Sequence, residues 1–220
     1  MRELNQQIIK FDYEKNFKYE DFYVSKSNEH IFNFIDSWPK WEKNFVNING
    51  ENFSGKTHIV NIFLKKYKGI KLESKTLNND HLKEIKLHEN VILENLEKNI
   101  NEELIYTLFN LIEQDNKYLV VTSIEPITSI KFELNDLKSR TKNFILQNIE
   151  KPDDDLIFAL LIKNFSDRQI SIEKKLIHFI IKRIDRSYSK ISEFIYKIDE
   201  ISLKKKKAID LKTIKEVLKV

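Results

Sequence analysis

The chain has 220 residues, 41% of them hydrophobic and 11% aromatic, enough for one globular unit or two small ones with a buried core. Cysteine is absent, which excludes a disulfide framework, a thiolate metal site and a cysteine nucleophile. A net charge of +4 permits contact with nucleic acid without arguing for it, and no apolar run has the length of a membrane span or the form of a signal core, so a cytoplasmic protein is expected.

Residues 1–16 read as a tail ahead of the fold. Within it, Gln7-Ile8-Ile9-Lys10-Phe11 has a leading glutamine, an aliphatic residue and a closing aromatic, with Gln7, Ile8 and Phe11 as the anchors. Such a peptide can dock in an apolar groove on a partner; it can equally pack on its own domain. From Asn28 to Ser37, Ile31, Phe32, Phe34 and Ile35 have helical spacing, and Trp38-Pro39 ends the run because proline disfavours helix in the residue before it.

Phe45, Val46 and Ile48 predict the first core strand. It leads into Gly50-Glu51-Asn52-Phe53-Ser54-Gly55-Lys56-Thr57-His58, which has the spacing of a phosphate loop: glycine, four residues, then glycine, lysine, threonine. A helical run through Ile59, Ile62 and Phe63 follows, to about Tyr67. Two of the chain's three glycines occupy the motif's two glycine positions, which argues against a chance match in an ordinary turn. Glycine lets the backbone bend and expose its N–H groups, and the new helix points its positive end at the same place. The candidate nucleotide ligands are Gly50, Asn52, Phe53, Ser54, Gly55, Lys56, Thr57 and His58. Lys56 is expected to reach the terminal phosphates and the Thr57 hydroxyl to hold Mg²⁺.

Gly69 is a stop signal, and Ile70-Lys71-Leu72 reads as a short strand. Residues 74–89 are polar, with one weak helix around Leu82 and Ile85. Val91-Ile92-Leu93-Glu94 predicts a buried strand with an acid at its C-terminal end, where open α/β sheets bind ligands. Beside a phosphate loop such an acid orients the water shell of Mg²⁺; the alternative is a solvated glutamate after a strand. Asn101 to Gln114 is an amphipathic helix, and Tyr118 to Val121 is a buried strand ending in Thr122-Ser123. Those two hydroxyls either touch a γ-phosphate or begin the next turn. Leu134 to Arg140 is a short helix, and Phe144-Ile145-Leu146 with Ile149 is a last strand. The alternation predicts an α/β domain over residues 17–150, a parallel sheet with helices on both faces.

After Pro152 the pattern is helical only. Asp153, Asp154 and Asp155 suit a first turn ahead of Leu156, Leu160 and Leu161. Ser171 is placed to cap a helix bearing Ile177, Ile180 and Ile184. Ile191, Phe194, Ile195 and Ile198 mark a third helix, and Asp210 caps a fourth. These make a small all-α lid over residues 151–220. Lys204 to Lys207 is a basic run expected to be a solvated turn.

The order of motifs resembles the DnaA-related AAA+ family. Phe53-Ser54-Gly55-Lys56-Thr57-His58 is similar to the phosphate loop of replication initiators. Thr122-Ser123-Ile124-Glu125-Pro126 looks like their T-S-D-R-P turn at the first sensor position. Leu137-Lys138-Ser139-Arg140 resembles their L-x-S-R segment, and Phe179 to Arg186 their lid helix. The sequence stops where the lid stops, without a helix-turn-helix segment, which points to the shorter Hda-type regulators of that family. There the tail peptide at Gln7–Phe11 would be the sliding-clamp ligand.

The resemblance implies an AAA+ fold, a bound ADP or ATP with Mg²⁺ at Thr57 and Glu94, and DnaA and the β sliding clamp as partners. It makes Arg140 an arginine finger offered to ATP held by DnaA. It sets Thr122 and Ser123 at the first sensor position and Ser189 with Lys190 at the second. It implies no membrane and no strong direct DNA binding, and leaves pairing into a homodimer open. The chain departs from the family at Glu94, where aspartate is usual, at Asn95, which lacks a second acid, and at Ser189, where arginine is usual. These departures imply weak hydrolysis by the chain itself. A stand-alone ATPase and a non-hydrolysing interaction module with a vestigial loop are the alternatives.

Overall fold

A parallel strand covered on both faces needs apolar residues at successive positions, and the strands of this chain have them. In a computed structural model, which describes residues 22–205 and 209–220, five strands form one parallel sheet. They are β1 (Phe45–Asn49), β2 (Ile70–Glu73), β3 (Asn90–Leu96), β4 (Tyr118–Ser123) and β5 (Ile145–Asn148), in the order β2-β3-β4-β1-β5. The tail peptide Gln7–Phe11, and Lys206 and Lys207 of the basic run, lie outside the described residues.

Successive side chains of each strand serve opposite cores. In β3, Val91 and Leu93 join the cluster of Ile85, Leu108, Phe109, Val121 and Leu137, beneath α3 (Asn79–Ile85), α4 (Glu102–Gln114) and α5 (Asn135–Thr141). Ile92, between them, joins Ile31, Val46, Ile48, Val60 and Phe63, beneath α1 (Glu29–Asp36) and α2 (Lys56–Tyr67). Helices therefore cover both faces.

Four more helices follow: α6 (Asp154–Asp167), α7 (Lys174–Ile181), α8 (Tyr188–Lys205) and α9 (Leu211–Leu218). They enclose a core of their own around Leu161, Phe165, Ile177, Ile195 and Ile214. Leu156 and Tyr188 instead pack with the α1/α2 cluster, which seats this lid on one face of the sheet. The Asp153 and Asp210 side chains cap α6 and α9, accepting from Leu156 N and Thr213 N at 2.8 Å each.

Two expected boundaries move. Ser171 does not cap α7, which starts at Lys174 after Glu173. Ile170 and Ile172 both pack on the lid core, a two-residue spacing that keeps this stretch extended until both are seated. The third strand also runs on to Leu96, so Glu94 lies inside β3 rather than at its tip, next to a register break between Leu93 and Leu96.

Candidate nucleotide site

β1 lies between β4 and β5, with Ile48 opposite Thr122 and Asn49 opposite both Ser123 and Asn148. The loop leaving β1 thus emerges at the sheet's C-terminal edge, one strand in from β5, where ligands of such sheets bind. Gly50 N donates to Ser123 O at 3.2 Å. A Cβ on Gly50 would lie 3.0 Å from both Ile149 Cβ and Ser54 Oγ, so a larger residue fits only if these neighbours give by a few tenths of an ångström. Gly55, at φ +94, sits at the N-cap position of α2. Phe53 is also left-handed, at φ +66, and its ring is 64% exposed.

Lys56 is the first residue of α2 and is 8% exposed. Its Nζ donates to Gly50 O at 2.6 Å and Glu51 O at 2.9 Å. Burial pushes the ammonium's pKa down, while the Glu51 and Glu94 carboxylates pull it back up. Neutral carbonyls are weaker partners for an ammonium than phosphate oxygens are. The geometry therefore stores the lysine inside the loop with partners an anion can replace.

Glu94 is 6% exposed, and its Oε2 lies 3.2 Å from Lys71 Nζ on the neighbouring strand β2. Its Oε1 is buried without a hydrogen-bond partner. Asn95, at φ +57, is left-handed, a conformation asparagine tolerates better than most residues. Asn95 N donates to Thr122 Oγ1 at 3.0 Å, its carboxamide donates to Glu73, and its carbonyl accepts from Ser74 Oγ. Asparagine at this position thus has a backbone role independent of any second acid.

The two first-sensor candidates are held from within. Thr122 is fully buried with its hydroxyl taken by Asn95 N. Ser123 Oγ donates to Glu125 O at 2.6 Å and receives Asn47 Nδ2 at 2.9 Å. Asn47 also accepts from Ile127 N, so one buried carboxamide stitches β1 to β4 and the turn after it. Its sequence position in an apolar run concealed this; an asparagine flanked by Val46 and Ile48 was the available signal.

Glu51 is the residue that reading by motif missed. Its carboxylate accepts from Ser187 Oγ, from Tyr188 N at 3.0 Å and from Ser189 N at 3.2 Å. The phosphate loop therefore supplies the carboxylate that caps α8. Burial pushes the Glu51 carboxyl up, but the hydrogen bonds from Ser187, Ser189 and Tyr188 outweigh it and hold its pKa below the ordinary 4.5. Lys190, expected with Ser189 at the second sensor position, pairs with Glu193 at 3.1 Å along its own helix. Beside the Glu51 cap, burial pushes the Tyr188 hydroxyl up to about 12, with Asp153 and Glu51 adding to the effect; it donates to Glu150 O.

Between loop and lid, Phe22, Phe53, Gly55, His58, Leu160 and Tyr188 line a hollow. Phe22 meets the His58 ring edge-on at 5.2 Å. The apolar lining adjoins the stored lysine, as a base and its phosphates would require. Arg140, on α5, pairs with Glu113 of α4 and lies 5.2 Å over the Tyr106 ring. These contacts use part of a guanidinium that carries five donors.

No family model matches the chain. Among curated proteins it is similar to the chromosomal replication initiator DnaA of Borreliella afzelii, 22% identical over 93% of this chain and 48% of that protein. DnaA of a Thermoanaerobacter strain is 25% identical over 75% of this chain and 42% of that protein. The chain thus spans about half or less of these relatives' length. Domain III of Thermotoga maritima DnaA superposes with a TM-score of 0.73 at 17% identity, covering 92% of this chain and 95% of that one. The chain is similar to DnaA in sequence and has the fold of its AAA+ domain. A replication initiator DnaA bound to AMPPCP and single-stranded DNA superposes at 0.64 and 17% identity, over 85% of this chain and 67% of that one.

The oxygen donors that would hold a Mg²⁺ here are the Thr57 hydroxyl and the Glu94 carboxylate. The orphaned Glu94 Oε1 is the kind of buried oxygen an ion's water shell would satisfy. Among the described residues no group of three or more His, Cys, Asp or Glu could hold a metal alone. The residues therefore fit an ion delivered with phosphates, not one resident without them.

Proposed function

We propose that the chain is an Hda-like regulator of replication initiation that binds ADP or ATP and stimulates ATP hydrolysis by DnaA. The supporting observation is the buried Lys56 ammonium, stored on two loop carbonyls at the C-terminal edge of a DnaA-like sheet. Loop N–H groups and Lys56 bind the phosphates, and the hollow beside Phe22 and His58 takes the base. Thr57 and Glu94 would hold a Mg²⁺ delivered with the nucleotide, which would supply neutralisation of the phosphate charge.

Arg140 would act in trans on a neighbour's γ-phosphate, where a guanidinium stabilises the developing charge. The chain's own turnover is weak on this reading: Ser189 and the self-paired Lys190 supply no second-sensor arginine. No helix among the described residues is long and apolar enough to cross a membrane. Gln7, Ile8 and Phe11 are proposed to dock on the β sliding clamp.

The test mixes the chain, DNA-loaded clamp and ATP-bound DnaA, and follows phosphate release. The expected outcome is acceleration by the natural chain, reduced about 100-fold or more by Arg140→Ala. No acceleration, or full acceleration by the variant, overturns the reading. Failure of the chain to bind nucleotide would favour the vestigial-loop alternative.

A further inference from the structure

We infer that Lys71 is a built-in counter-cation of the nucleotide site, so that ADP binding depends little on divalent metal. The inference rests on the nucleotide-binding reading above and adds which group balances Glu94.

A buried carboxylate needs a compensating charge, and in phosphate-loop sites the cation at this acid is ordinarily Mg²⁺ with its water shell. Here the compensation is already within the chain. Lys71 reaches from β2 to within 3.2 Å of Glu94 Oε2, and the same Nζ donates to Asn61 Oδ1 at 3.1 Å. Asn61 lies on α2, the helix that the phosphate loop opens into. The ammonium is therefore fixed by two oxygens from two elements, and the acid side chain it neutralises is 7% exposed against its own 37%. Lys56, the second cation of the site, also feels Glu94.

A divalent ion oriented by Glu94 must share that carboxylate with an ammonium of like charge, which weakens its hold. Oε1 is the carboxylate oxygen without a partner. The phosphates of ADP, meanwhile, meet Lys56 beside a Glu94 whose charge Lys71 already balances, whether or not metal is present. Removal of Lys71 leaves Glu94 buried, negative and close to incoming phosphates, a repulsion that metal would then have to relieve.

The test is calorimetric titration of the full chain with ADP, in excess Mg²⁺ and in EDTA. For the natural chain the two dissociation constants are expected to agree within about threefold. Lys71→Met should weaken ADP binding in EDTA by about tenfold or more relative to Mg²⁺. Lys71→Arg should keep the metal independence, and Lys71→Met/Glu94→Gln should regain it. Thermal melts of each variant check that the chain is folded. A natural chain that binds ADP in Mg²⁺ but about tenfold more weakly in EDTA overturns the inference and leaves nucleotide binding standing. Metal independence that survives in Lys71→Met also overturns it. No binding in either buffer overturns the nucleotide reading itself, and this inference with it.

Discussion

Glu51 puts a negative charge in a loop suited to receive anions, and its partners explain why that is tolerated. Ser187 Oγ and the N–H groups of Tyr188 and Ser189 satisfy the carboxylate at the positive end of α8. Truncation to Glu51→Ala should cost about 1–2 kcal/mol of stability, the size of a lost cap, measured by urea unfolding. The folded-state pKa of Glu51 lies below its unfolded value near 4.5. Its contribution is therefore fully present above that value and is lost as pH falls through the folded pKa. The stability gap between the natural chain and Glu51→Gln should accordingly narrow below pH 4.5 and be constant above it. A gap that widens on acidification would contradict the assignment. Arg140 makes the opposite case: its pair with Glu113 is partly solvated, so Arg140→Ala should change stability by less than about 1 kcal/mol. A large loss of DnaA stimulation in that variant then cannot be ascribed to unfolding.

At the scale of elements, the strand, loop and helix around Gly50 to Lys56 were legible because their chemistry is local. Glycine positions, the lysine and the flanking apolar runs lie within one short stretch. The same holds for α4 behind Asn101 and α6 behind Asp153, whose caps are next to what they cap. The parallel sheet and the four helices after it followed from periodicity, and the AAA+ assignment from the resemblance of the motifs. What sequence did not disclose were contacts made by topology. Lys71 meets Glu94 because β2 and β3 are neighbours, and Glu51 meets Ser187 across 136 residues of chain. Thr122 and Ser123 read as free hydroxyls, yet Asn95 and Asn47 occupy them. Gly50→Ala tests the loop's fit: the added Cβ would press on Ile149 and Ser54, and a loss of about 1–3 kcal/mol is expected in chemical unfolding. An unchanged midpoint would mean that Ile149 and Ser54 yield to the added Cβ without cost.

At the scale of the whole molecule, lid and sheet are joined by the Glu51 cap on α8, by Asp153 accepting from Ser27 N at 3.2 Å, and by Tyr188 donating to Glu150 O. Nucleotide would bind beside this junction, against residues of both parts. A ligand that binds only the folded state stabilises it by mass action, about 2.7 kcal/mol at a hundredfold excess over Kd. ADP should therefore raise the melting temperature of the chain in proportion to the logarithm of its concentration. A flat response would mean that no nucleotide is held.

The central claim is that the loop opening α2 holds phosphate through Lys56. Equilibrium binding of labelled ADP to the natural chain and to Lys56→Ala tests it most directly. The account predicts one mole of ADP per mole of chain, lost in a variant that still unfolds cooperatively. Absence of binding by the natural chain up to about 1 mM ADP or ATP, or undiminished binding by the variant, would contradict it.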